Sequence, residues 1–243
     1  MKRMFFGMLT ASMLALGATT VEAASLVLPP GSTVEGKTIG EWTTDWWRWA
    51  LDQSAPNDAF TDSTGANANI GQSGPVFFVA GTTGGTASRT FTVPYDSYLL
   101  VPLVNAVNWA PSPTTEQELR DGIEAVIDLV DNLFASIDGV PVADLFSYRE
   151  GSPLIKDLEA APDNPFGNPA GLLGDAVADG YWLMLSPLGF GTHTIAFGGG
   201  ISEFEFAVAA TDTITGVPEP ATLALFGLGL AGLGAIRRKQ LAA

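Results

Sequence analysis

The chain has 243 residues, 47% of them hydrophobic, with 26 acidic side chains against 11 lysines and arginines, one histidine and no cysteine. The lack of cysteine excludes disulfides, thiolate catalysis and cysteine-ligated zinc, and a single histidine excludes the usual zinc sites built from several imidazoles. A formal net charge of −15 makes nucleic acid and anionic lipid poor partners. No calcium-binding loop of the Asp-x-Asp-x-Asp type occurs, so we expect no metal and no cofactor.

The N-terminus has the pattern of a secretory signal peptide. Lys2 and Arg3 precede an apolar stretch from Met4 to Leu16, and small and polar residues then lead to Ala23. We predict cleavage after Ala23, which makes residues 1–23 the signal peptide and the secretion machinery a partner of the chain.

Four of the six tryptophans follow within eight residues, Trp42 to Trp49. At 100° per residue, Trp42, Trp46 and Trp49 share one helix face, so we predict an amphipathic helix with these side chains in the core. Trp47 projects from the flank of that helix. It either offers a flat apolar face to a sugar ring or packs under a loop, and the sequence leaves both open.

Three strands are predicted after a polar loop: a doubly buried one at Gly74–Gly81, an alternating one at Ser88–Pro94, and a third at Tyr98–Asn105. We expect them to be antiparallel neighbours. Pro102 within the third predicts an edge position or a bulge, because proline cannot donate to a ladder.

The clearest helical periodicity runs from Glu116 to Ile137. Thr115 and Glu118 form a capping-box pair at its start. Three acidic residues on its polar face, Glu124, Asp128 and Asp131, predict a solvated acidic surface without a basic partner.

The remainder predicts a turn and short strand at Gly139–Val142, a loop at Glu159–Gly174, a strand at Gly180–Leu185, and a hairpin of Gly189–Gly200 with Ser202–Ala209. In that hairpin Phe204, Phe206 and Val208 are expected on one face.

The only histidine, His193, is expected to be a half-buried strand residue with one satisfied nitrogen. No Gly-x-Ser-x-Gly elbow accompanies it, so serine catalysis is not indicated. A glycosidase needs only two carboxylates, and the abundance of acids leaves that alternative open. We predict no catalytic residue.

The C-terminus carries three features in order: Pro218, Glu219 and Pro220, then the 16-residue apolar run Ala221–Ile236, then Arg237, Arg238 and Lys239. The prolines end the preceding domain, the apolar run predicts a transmembrane helix, and the basic tail favours the cytoplasmic side as a membrane stop.

This layout resembles the PEP-CTERM sorting signal of Gram-negative bacteria, whose partner is the exosortase, a membrane cysteine transpeptidase. The resemblance implies an inner-membrane-anchored precursor, cleavage by an exosortase near Pro218, and then a cell-surface or extracellular location. Membrane contact is expected only through the C-terminal helix.

Between the two targeting segments lies a predicted single exported domain, residues 24–216, with 24 of the 26 acidic residues and 6 of the 11 cations. Blocks at 36–51, 71–81 and 89–94 resemble a group of uncharacterised secreted bacterial proteins, which implies a shared fold and no activity. Residues 217–243 are the sorting signal.

We predict an α+β fold: a twisted antiparallel β-sandwich with a Trp-rich helix and one long amphipathic helix packed on it. The function indicated is a non-enzymatic cell-surface or extracellular-matrix protein. Two alternatives stay open: a module that binds glycan or exopolysaccharide through Trp47, Trp109 and Trp182, and an acid/base hydrolase acting on polysaccharide.

Overall fold

The computed structural model describes residues 26–110 and 114–218 and shows a β-rich α+β fold. In chain order the elements are β1 (Thr33–Val34), β2 (Lys37–Thr38), α1 (Ile39–Leu51), β3 (Val76–Phe78), β4 (Gly85–Pro94), β5 (Tyr98–Ala110), α2 (Glu116–Ile127), β6 (Asn132–Ile137), β7 (Val140–Pro141), β8 (Ile155–Ala160), β9 (Gly171–Leu185), β10 (Gly191–Ile201) and β11 (Phe206–Val217). Short 3₁₀ helices lie at Leu145–Ser147 and Ser202–Phe204.

Two main sheets form a sandwich. One has the strand order β4-β11-β10-β6-β7 and the other β3-β5-β9-β8. Their facing sides enclose a core that includes Phe197 and Ile214 from the five-stranded sheet and Val101 and Leu183 from the four-stranded sheet. Helix α2 completes this core, because its apolar stripe contributes the buried residue Ile123.

A second core lies on the outer face of the four-stranded sheet, where α1 packs against it. Trp42, Trp46 and Trp49 meet Leu100 and Trp182 there, so the predicted tryptophan face is confirmed. The four-stranded sheet is therefore covered on both sides, by the five-stranded sheet and by α1. This explains why β5 and β9 contain long runs of buried residues.

Both helices begin at capping boxes. The Thr115 hydroxyl accepts from the Glu118 backbone N–H, and the Glu118 carboxylate accepts from the Thr115 N–H, as predicted. Thr38 and Glu41 repeat this arrangement at the start of α1. In each box two free backbone donors gain acceptors, which fixes where the helix starts.

The long amphipathic helix is shorter than predicted. It ends at Ile127, and Asn132–Ile137 is strand β6, which pairs antiparallel with β10. Ala135 and Ile137 are buried whereas Phe134 is 39% exposed. The period-2 burial of a strand thus replaces the helical spacing that the apolar residues suggested, because pairing with β10 overrides local preference.

The prediction that the first three strands after α1 are antiparallel neighbours is wrong. β3 runs parallel to β5, and β4 lies in the other sheet, parallel to β11. β5 is not an edge strand of its sheet, but the register shift between Pro102 and Val104 confirms the bulge alternative. The sandwich therefore contains mixed sheets.

In the C-terminal half, the short strand β7 and the β10–β11 hairpin are confirmed. The predicted Glu159–Gly174 loop is too long, because β8 extends to Ala160 and β9 begins at Gly171. Phe204 belongs to the turn between the hairpin strands and is 52% exposed, so its predicted place in the strand is wrong.

No helix within residues 26–110 and 114–218 has the length and apolar character needed to cross a membrane. Several predictions fall outside these described residues: the signal peptide with its cut at Ala23, the transmembrane segment 221–236, Glu219 and Pro220, and the stop at Arg237, Arg238 and Lys239.

Candidate functional site: an aromatic groove beside strand β5

One side of β5 is paired over only part of its length. β3 accompanies β5 from Tyr98 to Leu100, whereas β9 follows it to Ala110 on the other side. Beyond Phe78 the chain leaves this sheet and enters β4 of the opposite sheet at Gly85. Residues 102–110 of β5 consequently lack a strand partner on the β3 side within the described chain.

The register indicates which backbone groups this open edge presents. Gly180 and Trp182 of β9 make backbone hydrogen bonds on the side away from β5. Because residues in an antiparallel ladder alternate between bonding toward and away from the partner strand, Asn105, Val107 and Trp109 direct their N–H and C=O groups to the open side. An extended row of backbone donors and acceptors results.

A groove of about 640 Å³ runs along this edge, between β5, the start of β11, helix α1 and the loop after β8. Its most buried lining side chains include Trp46, Trp47 and Phe197, and its half-buried aromatic ones are Trp109, Phe166 and Phe206. Both sheets and the outer helix layer thus contribute aromatic rings to one cleft.

The polar side chains of the groove are uncharged. Asn105, Asn168, Thr82 and Thr83 line it, and no acidic or basic side chain does so among the described residues. An amide both donates and accepts hydrogen bonds. The groove therefore suits a neutral ligand with apolar faces and many hydroxyl or amide groups.

Trp47 differs from its neighbours on α1 in its hydrogen bonding. The indole N–H groups of Trp42, Trp46 and Trp49 each donate to a backbone carbonyl at 2.9 Å. The Nε1 atom of Trp47 is buried and has no partner in the described structure. Buried tryptophan N–H groups usually find an acceptor, so the Trp47 indole is an unsatisfied donor beneath the groove.

Trp47 packs under a loop, which is one of the two alternatives that the sequence left open. Its ring packs under the 161–170 loop, with its centroid 5.4 Å from the ring centroid of Phe166. The same side chain lines the groove. Only 4% of its surface is exposed, so it forms the base of the groove rather than a projecting platform.

The structure brings Trp47 and Trp109 to the groove but not Trp182. Trp182 is 0% exposed and lies edge-on to Trp46 with ring centroids 5.1 Å apart. It has no face available to a ligand. Asn105 and Asn168 were not anticipated, because single asparagines in a strand and a loop carry no sequence signal for a shared site.

The predicted acidic surface of α2 does have a basic partner, contrary to expectation. Arg149 bridges Asp128 and Asp179, and hydrogen bonding to Asp179 raises the pKa of Arg149. These groups satisfy one another as an ion-pair network. No cluster of three potential metal ligands occurs within residues 26–110 and 114–218.

His193 is placed as predicted. Its Nδ1 atom lies 2.8 Å from a carboxylate oxygen of Asp138, and the side chain is 21% exposed. Neither His193 nor Asp138 lines the groove. The arrangement is that of a strand residue held by one polar neighbour.

A buried ion pair joins β4 to β11 next to the groove-lining strands. The Nη1 atom of Arg89 is 3.7 Å from a carboxylate oxygen of Asp212, and Arg89 donates to four backbone carbonyls. Both Asp212 oxygens lack a hydrogen-bond partner in the described structure. Burial raises the pKa of Asp212 to about 7, against the opposing effect of Arg89.

The described chain ends where the sorting motif begins. Val217, the last residue of β11, is still paired with Pro94 of β4, and Pro218 follows it at the surface. The proline expected to close the domain therefore stands directly at the end of the last strand.

These features describe a β-sandwich protein with an uncharged aromatic groove at the open part of one sheet. A family model for the PEP-CTERM protein-sorting motif matches residues 216–239. The match indicates an exported protein that an exosortase processes and sorts to the cell surface. No curated protein and no solved structure matches the chain.

Proposed function

We propose that the exported domain is a non-enzymatic cell-surface or matrix protein that binds a neutral polysaccharide in the aromatic groove. The observation that carries this proposal is the meeting of Trp47, Trp109 and two asparagines in one uncharged cleft. Delivery to the cell surface by its sorting motif would bring the domain to extracellular polysaccharide.

The chemistry of the groove fits a sugar chain. Aromatic rings offer flat apolar faces to the C–H side of a pyranose, and the amides of Asn105 and Asn168 offer donors and acceptors to its hydroxyls. The free backbone groups of β5 extend this polar row along the groove. A groove that is lengthened along a strand suits a polymer better than a single sugar.

The absence of carboxylates from the described groove lining supports a proposal of binding over one of hydrolysis. A glycosidase needs two acidic groups about 5–10 Å apart across the scissile bond, and the groove-lining residues include none. The strongly acidic surface of the domain also repels polyanionic polysaccharides. Both points support a neutral ligand that is bound and not cleaved.

The test is titration of residues 24–218 with the producing cell's extracellular polysaccharide, followed by tryptophan fluorescence and by the release of reducing ends. We expect a saturable fluorescence change without new ends. The variant Trp109→Ala should weaken binding by about tenfold, the equivalent of roughly 1.4 kcal/mol of stacking. Phe190→Ala, which removes an exposed aromatic ring outside the groove, is the matched control.

Two results would refute the proposal. New reducing ends would assign the protein to the hydrolases. Binding that Trp109→Ala and Phe190→Ala weaken equally would place the ligand outside the groove.

A second candidate ligand is an extended polypeptide, and the free edge at Asn105, Val107 and Trp109 favours it. Such a segment would add a strand to the sheet and gain main-chain hydrogen bonds. In the same titration, unstructured peptides that bind and are not displaced by neutral polysaccharide would support this candidate.

A further inference from the structure

The end of the sandwich from which the chain leaves toward the sorting motif carries two exposed aromatic rings. Tyr95 is 37% exposed and Phe190 is 65% exposed, and their rings stack with centroids 4.2 Å apart. Phe190 has the highest exposure of the large hydrophobic side chains in the described residues. Water-exposed stacked aromatic rings of this kind need a physical explanation.

The pair is fixed to the exit point of the chain. The Tyr95 backbone N–H donates to the carbonyl of Val217, and Gly189 donates to the carbonyl of Tyr95. The loop that carries Phe190 also lies against Gly216. We call Tyr95 and Phe190, with the adjoining residues Gly216–Pro218, the exit face.

The exit face is very close to the predicted membrane segment. Only three residue steps separate Pro218 from Ala221, where the apolar run begins. An extended chain covers at most about 3.6 Å per residue, so the gap is no more than about 11 Å. The 16-residue apolar run is also short for a hydrocarbon core of roughly 30 Å, and such mismatch draws adjoining residues toward lipid.

We propose that the exit face rests on the membrane surface while the precursor is anchored, with Tyr95 and Phe190 at the level of the lipid headgroups. Aromatic side chains favour this interface because the ring is apolar and, in tyrosine, the hydroxyl stays hydrated. Asp96, exposed beside Tyr95, limits the contact to the interface. This inference rests on the anchored precursor that the sorting motif implies.

The lack of cysteine allows a direct test. Single cysteines are introduced into the chain that retains residues 217–243 and labelled with a polarity-sensitive fluorophore. The protein is then inserted into vesicles of the zwitterionic lipids phosphatidylethanolamine and phosphatidylcholine, because the acidic domain is repelled by anionic lipid. Thr192→Cys reports the exit face, Glu203→Cys reports the hairpin turn at the other end of β11, and Leu228→Cys reports the membrane segment. Thr192 and Glu203 are both exposed, so the two labels form a matched pair.

We expect quenching by nitroxide lipids at positions 192 and 228 and none at 203. Aqueous iodide should quench position 192 about twofold less than position 203, as expected for a group at headgroup depth. Replacement of both rings, by Tyr95→Ser together with Phe190→Ser, should raise iodide quenching at position 192 to the level measured at position 203. The exposed rings carry little of the core, so an unchanged unfolding transition should accompany this exchange.

The outcomes are distinguishable. Lipid quenching at 228 with full iodide access at 192 overturns the inference and leaves the anchored precursor intact. No lipid quenching at 228 overturns the anchored precursor itself. Shielding of 192 that appears only in membranes containing an exosortase assigns the exit face to the enzyme and overturns the lipid assignment, as does shielding that persists without the two rings.

Discussion

Replacing Asp212 by asparagine should remove the loss of folding stability that ionisation of this carboxyl group causes as the pH rises to neutral. Asp212 is 0% exposed between the sheets, and burial raises its pKa from 3.8 to about 7. The folded state therefore holds this proton more tightly than the unfolded state does. The associated stability is complete below the unfolded pKa and is lost as the pH rises through the folded pKa.

The magnitude follows from the two pKa values. Between about 3.8 and about 7 the difference is some three pH units, and each unit corresponds to roughly 1.4 kcal/mol. Ionisation of Asp212 should thus lower the free energy of unfolding by about 4 kcal/mol in total, of which about 2.5 kcal/mol falls between pH 5 and pH 8. Asp212→Asn keeps the shape of the side chain and cannot ionise.

Urea unfolding of residues 24–218, followed by tryptophan fluorescence at pH 5, 6, 7 and 8, measures this effect. Across that range the free energy of unfolding of the parent should fall by about 2.5 kcal/mol more than that of Asp212→Asn. Asp96→Asn is the control, since it removes an exposed carboxylate.

Parallel pH curves for the parent and Asp212→Asn would refute the reasoning. So would a uniform loss of about 3–5 kcal/mol in the variant, the cost of leaving a buried charge without its partner. That result would mean that Asp212 is ionised throughout and pairs with Arg89 at 3.7 Å as a true ion pair.

Four further substitutions test core packing, helix capping and one loop conformation. Trp46→Ala should cost about 3–5 kcal/mol in urea unfolding, because the ring is 2% exposed and contacts Trp47, Phe60 and Trp182; a loss below about 1 kcal/mol would contradict the central role of this ring. Thr115→Ala and Thr38→Ala should each cost about 1 kcal/mol through loss of a helix cap, and Thr92→Ala, at an exposed position outside both helices, gives the comparison value. Gly65→Ala should expose the 53–72 loop to protease, because Gly65 has φ +93° and an added Cβ would lie 2.5 Å from the Thr90 carbonyl oxygen; unchanged cleavage would show that the loop adapts.

Helix α1 was predicted from the spacing of its tryptophans, and the structure adds an agreeing capping signal. The tryptophans at 42, 46 and 49 share one face, Thr38 and Glu41 close a capping box, and the helix spans Ile39–Leu51. The start of α2 was equally clear from Thr115 and Glu118. Agreement between capping and periodicity identifies a helix without knowledge of its neighbours.

The errors lie where distant parts of the chain decide the structure. Asn132–Ile137 has helical spacing but becomes a strand by pairing with β10. β3 and β4 follow each other in sequence yet join different sheets, each with a parallel partner. β8 was not predicted, because bulges between Ile155 and Glu159 break the alternation of buried and exposed residues that is typical of a strand.

The groove could be anticipated only in part for the same reason. Trp47 and Trp109 attract attention as tryptophans, but their meeting depends on β3 leaving the edge of β5 after Leu100. Asn105 lies at the groove because of the strand register, and Asn168 lies there because of its position in a loop. No local pattern encodes either of these placements.

The groove and the exit face lie toward opposite ends of β11. Val208 lines the groove and Val217 marks the exit, so nine residue steps separate them, or about 30 Å along a strand. That distance exceeds the span of roughly 11 Å available between the fold and the predicted membrane segment. With the exit face held at the membrane as proposed, the groove would stay accessible, and the binding that we propose would not depend on prior cleavage at the sorting motif. Under the proposed function, exosortase processing would change where the polysaccharide is held and not whether it binds.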